Sequence, residues 1–282
     1  MESDLDINQL KYLKMKTKVL KFTTKAALTW IALVSLCLQT SLSFSQQKDA
    51  RTIIEGYAED YENDVTFKKD VIFGVKVDDT FWHVIAKAKT KESEAKVTVH
   101  DGKPEQPSFY FFTDLATLNK IDNGQMNALT GAAKAFSSDY APFDADVMEG
   151  FNPDQNFLPT LLSVYFHFWT KGLPERIPYG LDLTRFTHGA QASIFYYQPG
   201  FRSGYVAVKK GQHANEDEDS KSNPFPTLMI AIKGEGKMII NGGESILSAG
   251  EAVLIPAGVK HEFLNENEEP LECILLMFGD GA

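Results

Sequence analysis

From residue 65 onward the chain alternates apolar and polar positions with the two-residue period of a strand. Residues 71–77 (VIFGVKV) and 80–86 (TFWHVIA) flank Asp78-Asp79, which predicts a hairpin. Residues 96–100 and 108–112 read as two more strands, the first ending at Asp101-Gly102. The period then changes. Asp114 stands before Leu115, Leu118 and Ile121, and Asn123-Gly124 follows, the pattern of a capped helix. An alanine-rich stretch over 126–136 is predicted as a second helix. Strands followed by helices predict an α+β domain over 54–150. The polar, acidic stretch 46–65 reads as a solvated lead-in, and 137–156 as loop.

Leu158, Leu161, Leu162, Tyr165, Phe166, Phe168 and Trp169 leave the next helical segment almost no polar face, so it is predicted to be buried. Asn152 or Asp154 is its candidate cap, and Lys171-Gly172 its end. With its linker it occupies 151–184. The reading favours a packing helix between domains over a lid on a lipid pocket. Strands return at short spacing over 191–197, 204–210, 227–233, 236–240, 245–249, 251–256, 261–265 and 272–278. Asn241-Gly242-Gly243 is a hairpin signal among them. Short strands with glycine-rich turns predict an all-β barrel over 185–282.

Composition adds limits. Hydrophobic residues make up 43% and charged residues 23%, as in folded chains. A net charge of -10, with no basic stripe beyond the N-terminus, argues against a nucleic-acid partner. No CxxC, HExxH, P-loop or GxSxG pattern occurs. Lys11, Lys14, Lys16, Lys18, Lys21 and Lys25 precede an apolar run over 26–38, shorter than the roughly 20 residues a bilayer span needs. Ser43-Phe44-Ser45 offers a cleavage site before Gln46. Residues 1–45 therefore predict a signal peptide, with Met15 an alternative start, and a periplasmic or secreted mature chain without a transmembrane span. The alternatives are a retained anchor and, less favoured, lipid attachment at Cys37, where Leu36 replaces the expected small residue. Removal of Cys37 leaves Cys273 with no internal disulfide partner.

The segment Gly250-x5-Pro256-x-Gly258-x2-His261-x3-Asn265 resembles the second motif of the cupin superfamily, and Ile232-Lys233-Gly234-Glu235-Gly236 resembles that family's mid-barrel turn. The resemblance implies a jelly-roll barrel and an inward His261. It also implies a metal held by that histidine with an H-x-H pair and a glutamate from the first motif. This sequence departs there. The glutamate position falls on Thr227. The histidine positions fall on Ser220 and Ser222 or on Lys221 and Asn223; counted from the other side, they fall on Asp217 and Asp219. The favoured expectation is therefore no metal. If a divalent transition metal binds, its candidates are His261, His213, Asp217 and Asp219, with His188 as a further ligand. More weakly, residues 67–144 resemble the sterol-carrier-protein type lipid-binding family, through VIFGVKVDDTFWHVIAK, Val97-Thr-Val-His100-Asp-Gly102 and Asp114-Leu-Ala-Thr-Leu118 with Asn123-Gly124-Gln-Met126. That resemblance implies an apolar tunnel walled by Phe109, Phe111, Leu118, Met126 and Leu129. A clear second Gly-Lys-Leu segment of the family is missing.

Two functions follow as expectations. The first is an exported protein that binds a small apolar or amphipathic ligand, with Tyr205, Thr227, Met229 and His261 facing inward around it. The second is a metal-dependent enzyme of dioxygenase or isomerase type that uses His261 with non-standard ligands. The apolar strands LMIAIK and CILLMF are also expected to support a homodimer through edge pairing. His83, His100 and His167 are expected to be structural.

Overall fold

A computed structural model of the chain describes residues 47–134, 139–172 and 175–282; the predicted signal peptide lies outside them. The first element, α1 (Ala50–Glu62), falls where a solvated lead-in is expected. Ile53, Ile54, Tyr57, Ala58 and Tyr61 recur at helical spacing and are buried, while acidic residues fill the outer face and conceal the period. The Asp49 side chain caps it by accepting from the Thr52 N–H at 3.0 Å.

Strands β1 (Val71–Val77), β2 (Thr80–Lys87), β3 (Lys96–Asp101), β4 (Phe109–Thr113) and β5 (Phe143–Val147) form one sheet in the order β3-β2-β1-β4-β5. All neighbours are antiparallel except β1 and β4. The hairpin at Asp78 and the helix α2 (Leu115–Asp122), capped by Asp114, match the sequence pattern. Helix α3 (Ala128–Ala132) is shorter than predicted, with Asn127 as its cap. Strand β5 replaces part of a predicted loop.

Helix α4 (Phe157–Ser163) continues into a π turn over Val164–Phe168, closed by Trp169 N–H to Val164 C=O at 3.4 Å. The wider turn presents Tyr165, Phe168 and Trp169 to the sheet together. The Phe111 ring meets Tyr165 edge-on at 4.7 Å and Phe143 in a stack at 5.6 Å. Phe109, Phe111, Leu118 and Leu129 are buried in this cluster and Met126 packs on it. The residues expected to wall a lipid tunnel are instead filled against by aromatic rings, so they make a solid core.

The C-terminal part holds two sheets. One has the order β13-β10-β15-β8-β7-β6, from β6 (Arg185–Thr187), β7 (Ala190–Gln198), β8 (Phe201–Val208), β10 (Thr227–Lys233), β13 (Ala252–Ile255) and β15 (Leu271–Phe278). The other has the order β12-β11-β14-β9, from β9 (His213–Ala214), β11 (Glu235–Ile240), β12 (Gly243–Ser248) and β14 (His261–Leu264). Val206, Met229 and Cys273 of the first and Leu247 and Phe263 of the second share one core, so the inner faces pack together. Gly250 and Gly258 take positive φ, and β13 stops one residue before Pro256. Gly234 has no room for a side chain: an added Cβ would stand 2.1 Å from the Pro270 carbonyl oxygen.

The two strands expected at a dimer edge are central. β10 lies between β13 and β15, and β15 between β10 and β8, so neither has a free ladder. β6 pairs only with residues 190–192 of β7, which leaves the next stretch of β7 open on that side. The first half of the chain closes it. Thr130 Oγ1 accepts from the Ile194 N–H at 2.8 Å, and Asn127 Nδ2 donates to the Ile194 carbonyl at 2.8 Å. Residues 48–282 accordingly form one compact unit. Among the described residues no helix is long and apolar enough to cross a membrane.

Candidate functional site

His261 begins β14 on the same inward side as Phe263 and is buried. Its Nδ1–H donates to the Val259 carbonyl at 3.0 Å. That bond fixes the tautomer and leaves a lone pair on Nε2. Burial lowers its pKa, so the ring is neutral near pH 7. The segment 221–223 ties this end of β14 to the start of β10. The His261 N–H donates to the Lys221 carbonyl at 2.8 Å, and the Gly258 N–H to the Asn223 carbonyl at 2.7 Å. Asn223 Nδ2 in turn donates to Thr227 Oγ1 at 3.2 Å. Thr227 and His261 therefore stand at one end of the interior.

Cross-strand register identifies who else stands there. Arg202, Met277, Thr227 and Ile255 lie opposite one another across β8, β15, β10 and β13, and so share the inner face. Two residues deeper, Gly204, Leu275, Met229 and Val253 form the next row. Thr227 and Met229 are thus inward, as expected. Tyr205 is not. It pairs with Ile274 on the opposite face, and its hydroxyl donates to Glu272 Oε2 at 2.7 Å. The buried run 203–208 hides the alternation, because Tyr205 is covered on the outside by Tyr179, with ring centroids 5.8 Å apart.

Arg202 was missed by sequence reasoning, although its parity with Val206 and Val208 on β8 is readable. Its Nη2 donates to the Tyr197 hydroxyl at 3.0 Å and the Gly281 carbonyl at 3.1 Å. The guanidinium lies over the Tyr197 ring at 4.4 Å and the Phe225 ring at 5.1 Å. Its Nε is buried without a partner, and no carboxylate pairs with it among the described residues.

The remaining metal candidates do not converge on His261. His213 pairs with Leu264 on β14, on the outer side, and its Nε2 meets Glu262 Oε2 at 2.8 Å. Lys221 also bonds Glu262 there. Asp217 caps a short 3-10 turn over Glu218–Ser220, accepting from the Asp219 N–H at 3.0 Å, and both aspartates are exposed. His188 sits in the β6–β7 turn at φ 52°. The acidic stretch 216–219 is thus held by its own turn and by Lys221 and Lys260 on Glu218, which hold that carboxyl down at about 2. Asn265 is structural: its Nδ2 reaches the Val208 and Glu269 carbonyls, each at 2.8 Å. His83 and His100 stack at 5.1 Å on the first sheet.

Residues 205–277 match the family model described as a cupin domain. Solved structures are similar to part of the chain. A Cupin 2 conserved barrel domain protein from Salinispora arenicola shares 19% identity over 38% of this chain and 91% of its own, with a TM-score of 0.34. The Schizosaccharomyces pombe Cnp3 cupin domain shares 16% over 39% and 80%, with a TM-score of 0.33. KdgF from Halomonas sp. shares 17% over 33% and 82%, with a TM-score of 0.29. No curated protein matches the chain.

Proposed function

We propose that this chain is an exported binding protein that captures a small amphipathic molecule carrying a carboxylate at the Arg202–Thr227–His261 end of its cupin domain. The observation that carries the reading is Arg202. A half-buried guanidinium with an unpartnered Nε, and no pairing carboxylate among the described residues, supplies the positive charge that an anionic head group would meet. Met277, Ile255 and the Phe225 ring supply apolar surface beside it, and Thr227 and the His261 Nε2 lone pair add polar contacts. Deeper space is filled by Met229, Phe263 and Leu247, so the ligand sits at the mouth. Thr227 at the first-motif glutamate position, with no histidine at Ser220 and Ser222, Lys221 and Asn223, or Asp217 and Asp219, supports capture over metal chemistry.

Calorimetric titration of the full chain with octanoate, and with octanol as the uncharged control, tests this. Octanoate is expected to bind, octanol to bind at least tenfold more weakly, and Arg202→Gln to remove the difference. Equal binding of both probes, or indifference to Arg202→Gln, would refute the charge-capture reading. The alternative, a metal-dependent enzyme, replaces it if native mass spectrometry finds a transition ion that His261→Ala releases. The mass of the secreted N-terminus checks the export component: cleavage before Gln46 is expected.

A further inference from the structure

A second cluster of ligand-type side chains lies away from the cupin domain. Asp64 follows α1, His167 lies in the π turn, and Glu175 comes from the segment after it. Sequence separation hides the group, because Asp64 lies about a hundred residues before His167 and Glu175. One ligand atom from each of the three lies within 4.8 Å of the others. His167 Nδ1 is 2.7 Å from Glu175 Oε1 and 3.7 Å from Asp64 Oδ2. A divalent ion with bonds of about 2.0–2.2 Å holds neighbouring donors roughly 3–3.5 Å apart, which these separations bracket.

The charge balance is unusual. The Asp64 side chain is only 9% exposed and the Glu175 side chain 15%. No lysine or arginine pairs with either among the described residues. Asp64 Oδ1 takes the Thr66 N–H and hydroxyl, each at 2.6 Å, so it is oriented from behind. Its Oδ2 faces His167. Burial, then Asp64, pushes the Glu175 carboxyl above its ordinary range, against the opposing pull of His167. The Tyr61 phenol is raised by burial and then by the charges of Asp64 and Glu175. Two shielded carboxylates and one imidazole thus face one another, with no lysine or arginine paired to them among the described residues.

We infer that Asp64, His167 and Glu175 form a binding site for a divalent transition ion of the Zn2+ or Mn2+ class, in which the ion replaces the His167 Nδ1 proton. One nitrogen and two carboxylate oxygens are a donor set for such ions. The site joins the end of α1 to the π turn and the segment beyond it, so occupancy stiffens this corner of the aromatic core.

Full chain stripped of metal and titrated calorimetrically with ZnCl2 and with MnCl2 provides the test. One equivalent of either ion is expected to bind. The near-isosteric variants Asp64→Asn and Glu175→Gln should each weaken binding at least tenfold, while His261→Ala leaves it unchanged. Absence of stoichiometric uptake, or uptake indifferent to both variants, overturns the inference. Should a variant lose its native circular dichroism, Co2+ added to the wild-type chain decides: visible bands of a bound ion support the site, and their absence refutes it. Uptake lost only in His261→Ala would assign the ion to the cupin domain instead.

Discussion

Removal of one hydroxyl should show whether the two halves of this chain unfold together. Thr130 is fully buried, and its Oγ1 is the acceptor for the Ile194 N–H at 2.8 Å. Thr130→Val keeps the shape and deletes the acceptor, which strands a buried backbone donor. That loss costs about 1–3 kcal/mol. Asn127→Ala removes both the α3 cap and the donor to the Ile194 carbonyl, adding about 0.5–2 kcal/mol for the cap alone. The two side chains serve one peptide unit, so the double variant should fall short of additivity. With a urea m-value of roughly 3 kcal/mol/M, a loss of about 2 kcal/mol moves the midpoint by about 0.7 M. The chain supplies a separate probe for each half. In a Trp30→Phe background, Trp82 and Trp169 report the first half by fluorescence, and residues 185–282 contain no tryptophan. Cys273, fully buried in the second core, reports the other by pulsed alkylation in a Cys37→Ser background. Both probes should give one coincident transition that shifts in Thr130→Val. Two separated transitions, or a loss below about 0.5 kcal/mol, would refute the clamp.

Other expected outcomes follow from single sites. His261 and His188 both have pKa values lowered chiefly by burial, so the unfolded chain binds more protons than the folded one as pH falls below about 6.5. Stability should therefore drop on acidification, by up to about 1.4 kcal/mol per pH unit for each ring. His261→Gln should flatten that slope in denaturation curves at pH 7.5 and 5.5, and an unchanged slope counts against the burial argument. Burial pushes the Cys273 thiol up to about 12, so the native protein should resist iodoacetamide at pH 8 until it unfolds; rapid native labelling would contradict the packing. Gly74→Ala should destabilise by about 1–3 kcal/mol, because its Cβ would stand 2.6 Å from Phe81 Cε1 and 2.8 Å from Tyr110 Cβ. A melting temperature within a degree of wild type would show that these neighbours yield freely.

Local pattern alone fixes much of the architecture. The hairpin at Asp78, the cap at Asp114, the turn at Asn241-Gly242 and the Gly250–Asn265 motif each need only neighbours within a few residues, so they are readable before folding. So are the inward positions of Thr227, Met229 and His261, which follow from strand parity. Other features depend on partners far along the chain. Helix α1 is polar in composition, and only the sheet it covers reveals its apolar face. Tyr205 points outward because Glu272 and Tyr179 receive it there. His213 leaves the interior because Glu262 lies across the outer face of β14. The aromatic residues around Phe111 can wall a tunnel or fill a core, and the π turn that swings Tyr165 and Trp169 inward decides for the core. Asp64, His167 and Glu175 meet only because three segments of one half pack together. Short-range sterics and periodicity are properties of the chain, whereas burial, charge pairing and convergence of side chains exist only once distant segments are brought within a few ångströms.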